Sequence, residues 1–166
     1  MGEHSLTRAL RGLLNHQRTA ALGTLDEADA SVFVSRVPFA IDPHTRELVL
    51  HVSGLAAHTR NLRRHSQVSL LVAEPEQPGE PVHALPRVTL QGQARFVDPD
   101  EADAAACCAV YLARFPEAQP MTELGDFRFV RVRVQQARQI AGFGAARSLD
   151  TAELLQALGP TPDAGS

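Results

Sequence analysis

A chain of 166 residues with 44% hydrophobic and 21% charged side chains has the material for one soluble domain with a real core. Its formal net charge of −3 offers no basic field for a polyanion, which argues against nucleic acid as a partner. All 16 basic residues are arginine, so Schiff-base chemistry with an aldehyde cofactor, a P-loop lysine and a lysine general base are excluded together.

From the amino terminus, Leu6, Leu10, Leu13 and Leu14 recur at helical spacing between Arg8, Arg11 and Gln17, which predicts an amphipathic helix capped by Ser5. Residues 19–25 predict an apolar strand, and Asp26, Glu27, Ala28 and Asp29 a turn. A second strand over 32–41 is interrupted near Pro38, since proline in a sheet is confined to edges and bulges. Asp42, Pro43, His44 and Thr45 form a turn with proline at its second position, and 47–52 predicts the third strand. Residues 68–73 predict the fourth strand and the proline-rich stretch 74–86 an exposed loop. The long fifth strand, 87–97, carries a central Gly92 that marks a close approach of backbone or ligand.

Asp98, Pro99 and Glu101 carry the signature of a helix start with Asp98 as cap, and the alanine-rich helix runs to about Phe115. Cys107 and Cys108 diverge as helix neighbours and do not bridge, so they read as small core or near-surface residues. Residues 127–134 alternate Phe and Val against arginine as a half-buried strand. Gly142 and Gly144 permit a sharp bend around Phe143, a short capped helix covers 150–158, and the Pro/Gly/Ser tail is expected to be disordered. No apolar run is long enough to cross a bilayer and no basic-headed leader precedes the first helix, which points to a cytoplasmic chain without membrane contact.

The segment richest in chemistry lies between the third and fourth strands. There the chain runs out through Ser53, Gly54, Leu55, Ala56 and Ala57 into His58, Thr59, Arg60, Asn61, Leu62, Arg63 and Arg64. Small residues permit a tight turn, and a helix starting near Ala57 aims its free N–H groups and positive dipole end at whatever sits there. His58, Thr59 and Arg60 add an imidazole, a hydroxyl and a guanidinium fork suited to phosphate oxygens. The segment reads as a grip for the phosphate of a small molecule. The alternative is that Arg60, Arg63 and Arg64 are the solvated face of a connecting helix. The seven histidines show no metal-ligand spacing, and Ser35 and Ser53 have no histidine or acid local to them in sequence to suggest nucleophilic catalysis.

Six or seven strands in mostly antiparallel succession, with flanking helices at the start, in two crossovers and at the end, add up to a mainly β (α+β) split β-barrel. Residues 1–150 form that domain and 151–166 a closing helix end and tail. The element order, with Ser53-x4-His58-Thr59-Arg60-Asn61-Leu62 and then Pro86, Arg87, Val88, Thr89, Leu90, Gln91 and Gly92, resembles the FMN-binding split-barrel superfamily that includes pyridoxamine 5′-phosphate oxidase. Ser35, Arg36, Val37, Pro38 and Phe39, with Gly142, Phe143 and Gly144, resemble the HugZ-type haem-utilisation branch.

That resemblance implies a homodimer with FMN at its interface and an oxidoreductase acting on a small molecule. Arg36, Val37 and Pro38 would line the ring and ribityl chain, and Ser53, His58, Thr59, Arg60 and Asn61 would hold the phosphate. Arg87 takes the place of a polar side chain directed at the flavin. Arg60→Ala and Asn61→Ala are then expected to weaken FMN binding by about 1–3 kcal/mol each. The oxidase's phosphate lysine falls at or near His58, and the chain has no Trp for gripping the vitamin, which argues against pyridoxamine phosphate as substrate. The alternative ligand is haem in the same cleft, with Arg87 and Arg60 on the propionates and His58 or His83 near the iron. No histidine follows Arg147, so the C-terminal axial histidine of the haem-degrading relatives has no counterpart here. A third reading is a dimeric scaffold that binds no cofactor.

Overall fold

Side chains alternate between the two faces of a strand, and in β4 (Leu48–Ser53) that alternation separates two cores. Leu48, Leu50 and Val52 point into the larger one, where they meet Leu22 of β1 (Thr19–Leu25), Val37 of β2 (Val32–Pro38) and Leu70 of β5 (Gln67–Ala73). Leu90 of β6 (Arg87–Val97) and Val130 and Val132 of β7 (Phe127–Ile140) complete its wall. Val49 points the other way, into a smaller cluster closed by Cys107 and Tyr111 of α3 (Ala102–Arg114). The computed structural model describes residues 3–162; most of the tail expected to be disordered, 163–166, lies outside the described residues.

The strands form one antiparallel sheet in the order β2, β1, β5, β6, β7, β4, β3, where β3 is the two-residue Ala40–Ile41, and β8 (Ala146–Ser148) pairs with β7 off that path. The two ends of the order, β2 and β3, are consecutive pieces of one stretch parted by Phe39, and β2 also touches β4, so the sheet closes on itself. This is the split barrel expected from the sequence. It has eight strands because the stretch 32–41 divides at Phe39, one residue beyond Pro38, and because β8 adds a short hairpin partner.

α1 (Ser5–His16) buries Leu10, Leu13 and Leu14 and packs against α4 (Thr151–Ala157), which Asp150 and Glu153 begin with a reciprocal capping box. The amide of Gln139 reaches the Leu6 carbonyl at 2.8 Å, which ties α1 to the far end of β7. α2 (Ala57–Arg64) covers the opposite end, where Asn61 joins it to β1 and the β1–β2 turn. No helix among the described residues is long and apolar enough to cross a membrane.

Several local expectations shift. His4, not Ser5, caps α1, its Nδ1 accepting the Leu6 amide at 3.3 Å. α3 begins at Ala102 because residues 98–101 close a turn of their own: the Glu101 amide bonds the Asp98 carbonyl, and Glu101 Oε1 accepts the Asp98 amide at 3.2 Å. β7 runs six residues beyond 134 because Gln135 bulges opposite the Gln91/Gly92 step. The bulge flips the phase, so Ala137 and Gln139 face inward where continued alternation would place 138. Gly92 makes the close approach foreseen for it: a Cβ there would collide with the Arg133 carbonyl.

Arg131, an outward position on β7, is covered by α3 and only 2% exposed. Its guanidinium bonds Asp42 at 2.9 Å, Thr45 at 3.1 Å and Asp103 at 2.6 and 2.8 Å. Hydrogen bonds from Arg131 hold the Asp103 carboxyl down at about 2. Burial alone would raise Asp42, but the His44 and Thr45 amides and Arg131 outweigh it and leave it lowered.

Candidate functional site

The loop that ends β4 is laced to itself. The Gly54 amide bonds the Asp126 carbonyl at 2.7 Å, Ser53 Oγ donates to Asp126 Oδ2 at 3.3 Å, and the same oxygen accepts the Leu55 amide at 3.2 Å. Thr59 Oγ1 donates to the Ser53 carbonyl at 2.5 Å. Arg60 splits its guanidinium between the Leu55 carbonyl and Glu27, both at 3.1 Å. α2 lies over the barrel end and buries Thr59, Asn61 and Leu62, so the residues of the expected phosphate grip divide.

Two of the five turn inward. Thr59 is 1% exposed with its hydroxyl spent on the loop. Asn61 is 2% exposed, donating to Thr24 Oγ1 at 3.0 Å and accepting the Glu27 amide at 3.1 Å. Their side chains serve the fold, because a helix laid across a barrel mouth must bury one face and satisfy its polar groups there. His58, Ser53 and Arg60 remain at the surface of this mouth. The His58 ring is half-buried with Nδ1 3.0 Å from Ser35 Oγ, and burial lowers its pKa, which keeps it neutral near pH 7.

The other expected residues lie elsewhere. Arg36 and Pro38 are exposed on β2, whereas the Val37 side chain sits in the main core, so only its backbone could face a ligand. Arg87 is half-buried and donates to the Leu85 carbonyl at 2.9 Å, with exposed His83 one turn before it. Ser66, just past α2, accepts the Ala94 amide, which lies roughly 23 Å along β6 from Arg87. Arg60, bonded to Glu27 and Leu55, and Arg87, bonded to Leu85, thus sit on different loops of the barrel within one chain.

Arg36 and Arg87 share a face instead. Strand pairing lays a row Arg36, Ala21, Leu71, Thr89, Arg138 across the outside of the sheet, and a second row Val34, Gly23, Ser69, Gln91, Gln136 beside it. Arg87 and Arg138 are diagonal neighbours on adjacent strands, close enough to act as a pair. Gly23 leaves a floor without a side chain, and a groove of about 430 Å³ opens over it between Val32, Gln67, Gln91 and Gln93. Val32 is 77%, Val34 60% and Leu71 41% exposed, and large apolar side chains grouped on an open sheet face mark an interaction surface. The glutamines were legible only as polar alternation; nothing in the sequence marks them as neighbours. Among the described residues no cluster of three His, Cys, Asp or Glu could hold a metal.

Residues 6–141 match the family model described as pyridoxamine 5′-phosphate oxidase. The chain is 30% identical over 140 residues to the heme oxygenase HutZ of Vibrio cholerae, covering 84% of this chain and 78% of that protein. It is 36% identical over 112 residues to HOZ, a chloroplastic heme oxygenase of Arabidopsis thaliana, covering 68% of this chain but only 32% of the relative. A solved heme binding protein from Mycobacterium smegmatis superposes with a TM-score of 0.79 at 26% identity, covering 93% of this chain and 62% of that one. The chain thus spans about a third of the plant relative and under two thirds of the mycobacterial one.

Proposed function

We propose, from the premise that this chain belongs to the pyridoxamine 5′-phosphate oxidase family, that it is a haem-utilisation protein holding the porphyrin on the outer platform of its sheet between two copies of the chain. The observation that carries the reading is the row running from Arg36 through Ala21 and Leu71 to Thr89 and Arg138, an outward strip with apolar side chains in its middle and guanidinium groups at its ends. The relatives named as heme oxygenases and as a heme binding protein support it.

The residues present fit the group. A porphyrin needs an apolar floor, which Ala21, Gly23, Leu71 and Val34 offer, and cations for two propionates, which Arg87 and Arg138 supply as a neighbouring pair. His83, exposed beside Arg87, is the iron ligand available on the same chain. Bound haem brings the redox chemistry; the chain orients it, neutralises its carboxylates and keeps water from its faces. A second copy would cover the exposed Val32 and Val34.

FMN is the second reading, favoured by the α2 mouth, where Ser53, neutral His58 and Arg60 surround the small-residue loop 54–57. Titration of the same preparation with haem and with FMN separates the two. A saturable Soret shift is expected, with Arg87→Ala and Arg138→Ala each weakening haem binding about tenfold. Purification with stoichiometric FMN and no Soret shift on adding haem would overturn the haem assignment.

A further inference from the structure

Behind the sheet, away from the platform, a cavity of about 410 Å³ opens between α3 and the segment leading into β7, lined by His51, Val97, Cys108, Leu124, Phe127 and Arg128. The His51 ring lies 4.9 Å from Phe127 at 32° and 4.5 Å from Phe129 at 31°, so a wall of tilted, stacked aromatic rings forms one side. Tyr111 closes the back of that wall, 5.5 Å from His51. The volume lies within the range of small-molecule sites, and a flat ring is the shape the wall accepts.

His51 is the polar group left over. Its Nδ1 is sealed from solvent with no hydrogen-bond partner among the described residues. Burial lowers the pKa of the ring, which is neutral near pH 7 and carries one proton. A sealed N–H without an acceptor costs more than a sealed lone pair, so the proton belongs on Nε2, the nitrogen that is not sealed. A donor in an aromatic pocket asks for an oxygen acceptor. The guanidinium of Arg128 is held at the same wall by the Gly125 and Phe127 carbonyls at 2.7 and 2.8 Å, and it adds a positive charge. Glu123 on the rim is exposed and engages Gln119 at 3.5 Å, where water screens its charge.

We propose that this cavity binds a small flat aromatic carboxylate, its ring laid against His51 and Phe127 and its oxygens taken by His51 Nε2–H and Arg128. The site is independent of the haem platform, and it stands or falls without it.

Tyr111 is the chain's one tyrosine and there is no tryptophan, so emission comes from a single ring 5.5 Å from His51, behind the cavity wall. Salicylate, which absorbs where tyrosine emits, should quench that emission saturably, and benzoate should displace it where phenol does not. His51→Phe keeps the stacked ring but removes the donor, and is expected to weaken salicylate binding about tenfold. Arg128→Gln should weaken it comparably and serves as the test if His51→Phe does not fold. Quenching that never saturates at millimolar salicylate, displacement by phenol as effective as by benzoate, or equal affinity in wild type and both variants would overturn the proposal.

Discussion

Arg131 buries a full positive charge under α3 and answers it with two carboxylates, so its removal should be felt throughout the fold. Arg131→Met leaves the buried Asp42 without a cation, while Asp103 keeps Arg95 at 2.8 Å, and urea unfolding should register a loss of about 3–5 kcal/mol. The acid limb follows from the same group. Asp103 titrates at about 2 against an ordinary 3.8, so its contribution is fully present above pH 4 and is lost as the pH falls toward 2. The urea midpoint of the wild type should therefore drop over that interval, while Asp103→Asn starts lower and shows a flatter slope. Asn61 belongs with Arg131 among residues that hold the structure. Asn61→Ala should cost about 1–3 kcal/mol of stability by stranding the Glu27 amide, with ligand affinity of the folded protein unchanged in a titration.

β6 and β7 pair along almost their whole length, and the one irregularity between them is built around Gly92. Gly92→Ala forces a methyl against the Arg133 carbonyl, and thermal or urea unfolding should show a loss of about 2 kcal/mol. Gly92 was readable in advance because a glycine inside a strand pattern signals such an approach. The strands themselves were readable from alternation, and the family from motifs that span most of the chain. What the sequence could not convey is which outward positions another element covers. Arg131 and Arg133 look alike along β7, yet only Arg131 lies under α3, a contact made by a helix folded back from before the strand. The α2 segment shows the same limit: a run of polar residues reads as one grip, but a helix has two faces, and the end of the barrel buries Thr59 and Asn61. Platform residues from five strands come together only through register, which no local pattern encodes.

At the scale of the whole molecule, the outer platform and the α2 mouth adjoin along β2, where Ser35, the partner of His58, sits between Val34 and Arg36. The double variant Val34→Glu with Leu71→Glu puts charge on the shared face while sparing the core, and sedimentation velocity should show monomers that have also lost haem binding. Monomers that bind haem unchanged would place the ligand elsewhere. The way the sheet closes bears on how a two-copy assembly can form. Since its first and last strands are halves of a single stretch pinned by Phe39, which is 0% exposed, neither half can leave to complete a neighbouring molecule without drawing that ring out of the interior. Mixed isotopically labelled and unlabelled populations should therefore trade intact subunits, with no intertwined species among the products.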